Sequence, residues 1–513
     1  MASDANFYGL IAAVAAHQGA RACWSEPGAG DLSWAQLHAA TARHAAALRE
    51  AGVQPGDRVL AQVEKSAASL LLYLGCLRAG AVFVPLNTAY TDAELAYFIG
   101  DAGPRLIVCD PLRRAGLESL PATGDSVRIE TLDGRGEGSW SQRVAAATVA
   151  PAAVEPRSAT DLAAIVYTSG TTGRSKGAMI SHGNVAANGR ALREAWRIRA
   201  DDVLLHALPT YHVHGLFIAL HSTMLAGARV ILLPRFDVDA VLGELPSATL
   251  FMGVPTHYTR LLADPRFTRE RAAHVRTFFC GSAPLLPSTF AEFEQRTGQR
   301  ILERYGMSEA GVIASNPHDG ERLPGTVGFA LAGTEARVAT GEGAVAADGE
   351  TGVLEIRGDS VFQGYWRRPE LARSEFRDGW FVTGDLATRD REGRIAIVGR
   401  ARDLIISGGF NVYPKEIELE IDALPGVTES AVIGVPHPDF GEAVVAVVAL
   451  APGAGLTEQQ VVAALAQRLA RFKLPKRVLF ADDLPRNAMA KVQKVVLRAQ
   501  HRDLFAAAPG RSP

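Results

Sequence analysis

Residues 162–177, LAAIVYTSGTTGRSKG, join a strand pattern to a loop rich in glycine and hydroxyl groups. The apolar run of residues 162–167 predicts a buried strand. In the loop, glycines let the backbone approach a ligand, while the hydroxyl groups and Lys176 add donors and positive charge. Ser175 stands where a Walker A loop needs its second glycine, so this loop is of another kind. The stretch predicts a polyphosphate-binding loop, although its composition alone fits a solvated turn equally well.

Outward from this loop, helix and strand patterns alternate over the first 400 residues. Ser33 is a candidate N-cap for a helix that runs to residue 51, and a second helix over residues 67–79 ends before Gly80. Apolar strands are predicted over residues 56–63, 81–86 and 105–110. Strands that are apolar throughout and separated by helices favour mostly parallel sheets covered on both faces. The predicted fold class is therefore α/β, with a large N-terminal domain of mostly parallel sheets flanked by helices.

The pattern changes after residue 330 to short alternating strands at 336–338, 352–358 and 394–399, which predict a small β-rich subdomain. Beyond residue 403 the predicted order is helix 414–424, strand 428–435, strand 443–451, helix 457–472 and strand 477–480. This order indicates a separate small α+β domain. We predict an N-terminal domain over residues 1–401 and a C-terminal domain over residues 402–513. Residues 145–160, rich in Ala and Pro, predict a linker.

Composition narrows the class of protein. A chain of 513 residues exceeds the size of a single core. Because 53 basic residues nearly balance 55 acidic ones, no overall field favours a nucleic acid or an anionic membrane. The four cysteines are scattered without metal-ligand spacing, which is typical of buried thiols in a reducing compartment. The apolar run of residues 10–16 lacks a basic leader and predicts a first helix. We expect a cytoplasmic protein with no nucleic-acid partner and no membrane span.

Five further motifs follow the loop in order along nearly the whole chain: YGMSE (305–309), GDSVFQGY (358–365), GWFVTGD (379–385), GRARDLIISGGFN (399–411) and PRNAMAK (485–491). With the loop, they resemble the adenylate-forming superfamily of acyl-CoA synthetases, luciferases and peptide-synthetase adenylation domains. The resemblance implies an ATP-dependent acid–CoA ligase. Such an enzyme makes an acyl-adenylate and pyrophosphate, and then an acyl-CoA and AMP. It would use ATP, Mg²⁺ and, as co-substrate, coenzyme A.

The same resemblance implies which residues bind the nucleotide. Tyr305 would stack on adenine, Asp385 would accept the ribose hydroxyl groups, and Ser308 replaces the commoner Thr while keeping a hydroxyl for the α-phosphate. Glu309 would hold Mg²⁺ together with Thr172. The full implied ATP and AMP set is Thr168, Ser169, Gly170, Thr171, Thr172, Gly173, Lys176, Gly281, Ser282, Ala283, Tyr305, Gly306, Met307, Ser308, Asp385 and Arg400.

Lys491 corresponds to the family lysine that bridges the acid and the nucleotide, so the resemblance makes Lys491 and Glu309 the catalytic residues. The family usually has Gly before this lysine, and here the residue is Ala490. Arg402 lies at the family's hinge position, which implies a mobile C-terminal domain that withdraws Lys491 for the second step. The residues implied to line the coenzyme A tunnel are Ser407, Gly408 and Gly409.

The identity of the acid depends on a few residues of the implied acyl pocket: His212, Arg260, Ser282 and Arg304. Two guanidinium groups and a hydroxyl would match a second carboxylate. The combination, with residues 303–307 and 315–325, resembles malonyl-CoA synthetases, so malonate or methylmalonate is the predicted acid. Other interpretations are a buried structural ion pair of Arg304 with Glu303 or another acid, a surface position for Arg260, and a core position for His212. Alternative functions are a short- or medium-chain fatty acyl-CoA synthetase, and an adenylation enzyme that loads a separate carrier protein.

Overall fold

The computed structural model describes residues 5–124, 127–148, 153–168, 175–341, 343–407, 410–487 and 491–505. The chain divides into two compact units. The first comprises Met1–Leu285, Thr289–Ala336 and Ile356–Phe381, and the second comprises Leu286–Ser288, Arg337–Glu355 and Val382–Pro513. Residues 382–401, which the sequence assigned to the N-terminal domain, belong by contact to the second unit. The domain boundary at residues 401 and 402 stays a prediction about movement.

The α-helices in the described residues are α1 (Phe7–Gln18), α2 (Trp34–Glu50), α3 (Ala67–Ala79), α4 (Asp92–Ala102), α5 (Arg114–Glu118), α6 (Ser139–Ala146), α7 (His182–Ala195), α8 (Leu220–Leu225), α9 (Val238–Glu244), α10 (Pro255–Ala263), α11 (Arg269–Ala272), α12 (Pro287–Thr297), α13 (Pro369–Glu375), α14 (Pro414–Asp422), α15 (Glu458–Ala466) and α16 (Lys494–Gln500). A π-helical turn covers His214–Ala219. A 3₁₀ turn covers Ala401–Asp403. No described helix is both long enough and apolar enough to cross a bilayer.

The strands in the described residues are β1 (Ala22–Glu26), β2 (Gly30–Ser33), β3 (Arg58–Gln62), β4 (Val82–Pro85), β5 (Leu106–Cys109), β6 (Arg128–Thr131), β7 (Leu162–Thr168), β8 (Lys176–Ser181), β9 (Val203–His206), β10 (Arg229–Leu232), β11 (Leu250–Gly253), β12 (Thr277–Cys280), β13 (Leu302–Met307), β14 (Gly311–Ser315), β15 (Phe329–Ala330), β16 (Thr334–Thr340), β17 (Ala344–Val345), β18 (Gly352–Gly358), β19 (Phe376–Arg377), β20 (Trp380–Arg389), β21 (Ile395–Arg400), β22 (Ile405–Ser407), β23 (Phe410–Val412), β24 (Val427–His437), β25 (Gly441–Leu450) and β26 (Arg477–Ala481).

The first unit contains two large sheets. One has the strand order β6-β5-β3-β4-β7-β8 and is parallel except for the antiparallel pair β7–β8. The other has the order β15-β14-β13-β12-β11-β9-β10-β1-β2, and its run from β13 to β1 is parallel throughout. Fully apolar strands such as β4 and β5 are buried along their length. The predicted α/β fold with mostly parallel sheets is therefore confirmed.

An aromatic core lies against one face of the second sheet. The rings of Phe278 and Phe293 are 5.0 Å apart, those of Tyr258 and Phe293 are 5.5 Å apart, and all three side chains are fully buried. Edge-to-face ring pairs of this kind add to the free energy of burying apolar surface. This core packs β12 against the helices α10 and α12, and it therefore helps to fix the position of the sheet edge at which β11, β12 and β13 end.

In the second unit, β16 pairs with β17 and β20 pairs with β21, both antiparallel. Its C-terminal sheet has the order β23-β22-β25-β24, with β26 parallel to β25. Ile417 of α14, Val461 of α15 and Val444 of β25 share one core. The predicted β-rich subdomain and α+β domain are both present.

Two predicted helices show where periodicity is reliable. Ser33 forms a capping box with Gln36 at the start of α2, and α3 begins and ends at the predicted residues. The helix predicted over residues 457–472, in contrast, ends at Ala466. Leu469 and Phe472 keep the helical spacing and still pack against the core. The periodicity there indicated burial and not a continuous helix.

Candidate active site

The carboxyl ends of four neighbouring parallel strands, β9, β11, β12 and β13, meet at one edge of the larger sheet. Ligands of open parallel sheets bind outside such an edge. The segments that leave it carry the predicted acid-binding side chains: His212 after β9, Arg260 after β11, Ser282 after β12 and Arg304 within β13. Sheet order therefore brings together segments that are up to about a hundred residues apart in the chain.

Arg304 is a buried cation at this edge. Its side chain is 4% exposed, and its Nε and Nη2 atoms have no hydrogen-bond partner among the described residues. Burial lowers the pKa of the guanidinium to about 10, so the group is still charged at neutral pH. The guanidinium lies against Gly281, where a Cβ atom would be 2.5 Å from Cζ of Arg304, and only glycine allows this approach. A buried charge without a partner is unfavourable, so the position suits an anionic ligand.

Glu303 does not neutralise Arg304. No ion pair joins these two described residues, because consecutive side chains of a strand point to opposite faces of the sheet. Glu303 is itself buried, with Oε1 lacking a partner among the described residues. Burial raises the pKa of the Glu303 carboxyl to about 8. The interpretation of Arg304 as the ion-pair partner of Glu303 is therefore not supported by the geometry.

The raised pKa of Glu303 gives the first prediction, which concerns stability. In the unfolded chain a Glu titrates near pH 4.3, so the folded state binds the proton more tightly. The stabilising contribution is complete below the unfolded-state pKa and is lost as the pH rises through about 8. Between pH 6 and 9 the wild type should lose about 2 °C more in apparent Tm than Glu303→Gln, which stays neutral. Differential scanning fluorimetry across this range checks the prediction, and parallel curves would contradict it.

Ser282 and two histidines line the same edge. Ser282 has φ +70°, a left-handed conformation that is strained for a residue with a Cβ and that is common at functional sites. Its Oγ lies 3.0 Å from Nδ1 of His214. The backbone N–H of His214 donates to Nδ1 of His212 at 3.1 Å. His212 is half-buried, so it is neither a pure core residue nor an exposed one.

Arg260 differs from Arg304 in its surroundings. It lies in the last turn of α10 with an exposed side chain. Its charge reaches His257 of the same helix, whose pKa is lowered to about 3 by burial first and by Arg260 second. Water would screen a contact made by Arg260 far more than one made by Arg304. Its role in binding the acid stays a prediction.

The structure describes the two ends of the predicted phosphate loop. Thr168 and Lys176 lie opposite each other in the antiparallel pair β7–β8. Lys176 Nζ donates to Glu375 at 2.8 Å and lies 4.9 Å from the centre of the Tyr365 ring. Ser169, Gly170, Thr171, Thr172 and Gly173 lie outside the described residues. The strands β7 and β8, which flank these residues, form an antiparallel pair.

Glu309 is the carboxylate next to this strand pair. It is buried, and its Oε1 accepts hydrogen bonds from the Tyr365 hydroxyl at 3.0 Å and from Thr168 Oγ1 at 3.4 Å. Within the described residues no cluster of three or more acidic, His or Cys side chains could hold a metal by itself. Mg²⁺ in nucleotide sites needs only one or two carboxylates and takes its other ligands from phosphates and water. A single buried carboxylate bonded to Thr168, at the start of the predicted phosphate loop, fits that ion.

Four more residues predicted to bind the nucleotide, Tyr305 to Ser308, are in the first unit. They lie at the end of β13 and in the turn before β14, and all are half-buried. Ala283, two residues beyond Gly281, is half-buried as well. Side chains and backbone at this edge are thus accessible without being fully solvated. Their contacts with a nucleotide stay a prediction.

The second unit brings Asp385 and Arg400 together. They face each other across β20 and β21, and Arg400 Nε donates to Asp385 Oδ1 at 2.8 Å. Asp385 is 2% exposed and therefore oriented before any ribose could bind. Arg402 is exposed in the 3₁₀ turn that follows, and Ser407 is buried at the end of β22. Gly408 and Gly409 lie outside the described residues.

Lys491 lies near the same pair. Its backbone is held by Asn487, with Lys491 N donating to Asn487 Oδ1 at 3.0 Å and Asn487 N donating to Lys491 O at 2.9 Å. Desolvation by nearby protein, followed by repulsion from Arg400, lowers the pKa of Lys491 to about 8. Its side chain nevertheless reaches solvent, which favours the charged form, so we expect an ammonium group at neutral pH. Ala490 lies outside the described residues.

Sequence reasoning missed several polar side chains at the sheet edge. Lys65, His206, His214 and Tyr365 are buried and bonded to site residues or to the segments that carry them. The residue types alone do not indicate that these side chains lie near a binding site. The pattern Tyr-His-Val-His-Gly at 211–215, with two histidines directly after a predicted strand, could have directed attention to His214.

The chain is similar to known proteins over nearly its whole length. The family model described as AMP-binding enzyme matches residues 11–366, and the model described as AMP-binding enzyme C-terminal domain matches residues 416–491. A feruloyl-CoA synthase of Amycolatopsis sp is 38% identical over 472 residues, covering 91% of this chain and 93% of the relative. The mitochondrial malonate–CoA ligase ACSF3 of Mus musculus is 36% identical over 471 residues, covering 82% and 78%. The crystal structure of ATP-bound MatB from Rhodopseudomonas palustris superposes with a TM-score of 0.94 at 52% identity, covering 98% of this chain and 100% of that one.

Proposed function

The chain belongs to the AMP-binding enzyme family and is an acid–CoA ligase that uses ATP, Mg²⁺ and coenzyme A, and from this premise we propose that its acid is malonate. The observation that carries the proposal is Arg304, a buried guanidinium with two N–H groups unpartnered among the described residues. A dicarboxylate supplies the missing anion, whereas a fatty acid would leave the charge buried and unpaired. The relative named malonate–CoA ligase supports this choice, and the one named feruloyl-CoA synthase shows that related chains differ in their acid.

In the proposed first half-reaction, one malonate carboxylate is held by Arg304, beside the loop that carries Ser282, while the other attacks the α-phosphorus of ATP. A carboxyl oxygen forms the new bond to phosphorus, and the bond to pyrophosphate breaks. The carboxylate and the phosphates repel each other, so positioning and charge neutralisation supply most of the rate. Lys491 binds both anions in this step, and Asp385 orients the ribose. Glu309 would hold Mg²⁺, which when bound would supply positive charge to the phosphates.

In the proposed second half-reaction, the coenzyme A thiol attacks the acyl carbon, and AMP leaves. Lys491 covers the acyl-adenylate in the first step, so it has to withdraw before the thiol can approach. Rotation about Arg402 would carry Lys491 away and place Ser407, Gly408 and Gly409 along the pantetheine path. The exposed position of Arg402 in a short 3₁₀ turn is compatible with a change of φ and ψ there.

A proline at this pivot gives the second prediction. Arg402→Pro fixes φ near −65° and removes a backbone N–H, so rotation about this residue should be blocked. We expect adenylation within about threefold of the wild type and coenzyme A transfer slowed at least about 10²-fold, with acyl-adenylate accumulating. Quenched-flow separation of the two steps measures this. Arg402→Ala, which keeps backbone freedom, is the matched control, and unchanged overall turnover of the proline variant would place the pivot elsewhere.

The proposal of malonate is tested by ATP–pyrophosphate exchange with malonate, methylmalonate, acetate, butyrate and octanoate. We expect malonate to give the highest kcat/KM, because the monocarboxylates leave Arg304 unpaired. A site built around a buried polar partner can discriminate by about 10⁴-fold against substrates that lack it. A preference for octanoate would overturn the choice of malonate and leave the family assignment intact.

A further inference from the structure

His214 is a buried imidazole that the reaction as described does not use. Its side chain is 1% exposed, and its Nε2 atom has no hydrogen-bond partner among the described residues. Buried polar atoms in folded proteins are nearly always bonded, so one that is not requires an explanation. The Nε and Nη2 atoms of the nearby Arg304 likewise have no hydrogen-bond partner among the described residues. Two buried side chains with unused nitrogen atoms at one sheet edge indicate a shared ligand.

The side chains of Arg304 and His214 contact two consecutive residues of the loop after β12, Gly281 and Ser282. The guanidinium of Arg304 lies against Gly281, and Nδ1 of His214 lies 3.0 Å from Oγ of Ser282. Repulsion from the charge of Arg304 is also one cause, after burial, of the lowered pKa of His214. Nε and Nη2 are the two nitrogen atoms on one side of a guanidinium, and together they can donate to both oxygens of a carboxylate. The unpartnered pair on Arg304 is therefore one complete binding face.

The backbone next to His214 is fixed by buried hydrogen bonds and close packing. The following residue, Gly215, accepts a hydrogen bond at its carbonyl from Nε2 of His206 at 2.9 Å. Lys65 binds His206 in turn, and its Nζ lies 2.7 Å from Nδ1 of His206. The same Nζ donates to the backbone carbonyls of His206 at 2.7 Å and of Leu208 at 3.1 Å. A Cβ atom on Gly215 would lie 2.1 Å from the carbonyl oxygen of Pro209, so the chain there packs without room to shift. The position of His214 is set before any ligand binds.

The charge state of His214 suits a donor. Burial, followed by repulsion from Arg304, lowers its pKa well below the ordinary value, so the imidazole is neutral at neutral pH. A neutral imidazole carries one N–H. An anion near Nε2 selects the tautomer with the proton on that atom, and the Ser282 hydroxyl can then donate to Nδ1. The ring thus adds a hydrogen bond without placing a second buried cation beside Arg304.

We propose that His214 is a specificity-determining residue that donates Nε2–H to the non-reacting carboxylate of the acid, beside the paired N–H groups of Arg304. The inference rests on the proposed dicarboxylate substrate and adds a residue that distinguishes two negative charges from one. A monocarboxylic acid has no group to meet Nε2 of His214, so its binding does not depend on this atom. The donors supplied by the two side chains then number three, and a carboxylate with two oxygens can accept them all.

The test compares His214→Phe with the wild type in ATP–pyrophosphate exchange, with malonate and butyrate as the two acids. We expect kcat/KM for malonate to fall about 30-fold, mainly through KM, because a lost hydrogen bond to a charged group has roughly this effect. The value for butyrate should stay within about threefold or rise, because the ring now offers it an apolar surface. His214→Gln, which keeps a side-chain N–H, should recover part of the loss for malonate.

His221→Phe is the matched control. His221 is also buried at 1% exposure, and like His214 it has one ring nitrogen, Nδ1, without a partner among the described residues. It differs in place, because it lies on α8 beyond the π-helical turn with Nε2 2.7 Å from the Tyr73 hydroxyl. This variant should change both acids by the same factor. If His214→Phe does likewise, His214 has only a structural role and the inference is overturned.

Two further outcomes remain distinct. Should His214→Phe fail to fold, as judged by its melting curve, His214→Leu is smaller and carries the same comparison. A wild-type enzyme that prefers butyrate would overturn the proposed malonate function itself. A wild type that prefers malonate, together with an unchanged acid ratio in the His214 variants, would overturn only the assignment of His214.

Discussion

Lys491→Ala is expected to lower acid-dependent ATP–pyrophosphate exchange at least about 10²-fold while leaving thioester formation from supplied malonyl-adenylate within about threefold. In the proposed reaction, the ammonium group offsets the repulsion between the attacking carboxylate and the phosphates in the first step, and the second step does not need it. Removing one well-placed charge from an enzyme commonly costs about 10²–10³-fold in rate. The two half-reactions, measured separately, report the effect directly.

The structure makes this variant a clean test. Lys491 is held through its backbone by Asn487, and its side chain reaches solvent, so truncation should leave no cavity. Lys476 is a matched control, because it is another exposed lysine of the second unit and packs 4.7 Å from the ring centre of Phe440. Lys476→Ala should leave adenylation unchanged. Equal loss of both half-reactions in Lys491→Ala would show that the role of Lys491 is structural or shared.

Arg304→Met is expected to lower kcat/KM for malonate at least about 10²-fold and to leave acetate and butyrate level or improved. Met keeps much of the side-chain volume and removes the charge, so the loss reflects a charge-assisted pair worth about 3 kcal/mol. Burial strengthens the effect, because at 4% exposure water cannot replace the guanidinium. Exchange assays over the five acids give the whole comparison.

Arg260→Met is the matched control for Arg304→Met. Arg260 is exposed, so its charge is screened and its replacement should cost no more than about tenfold with malonate. Equal losses from the two substitutions would mean that Arg260 moves into the pocket when the acid binds. If Arg304→Met affects every acid alike, the dicarboxylate proposal is wrong, and Arg304 is a structural or nucleotide-side residue.

Much of the fold could be predicted because its signals are local. The apolar strands β3, β4 and β5 and the capped helices α2 and α3 were found from short stretches of sequence. The ordered motifs around the predicted phosphate loop identified the family, because each preserves a fixed spacing that the chemistry requires. Spacing in a motif survives folding unchanged, so it can be read before the tertiary structure is known.

The environment of each side chain could not be predicted in the same way. Arg260 and Arg304 looked equivalent in sequence, yet the structure leaves one exposed and buries the other against Gly281. Which residue meets an arginine depends on which strands are neighbours, and β12 and β13 pair through residues that are 23 apart in the chain. Only the alternation of side chains along β13, which separates Glu303 from Arg304, was available from sequence.

By itself the sequence determined the fold class and the family, because these depend on periodicity and on motifs of fixed spacing. Tertiary structure alone decided that His214, held through Gly215 and His206 by Lys65, stands beside Arg304. Lys65 and His206 are 141 residues apart. The order of strands in a sheet brings such residues together, and that order depends on the packing of the whole unit, which no short stretch of sequence contains.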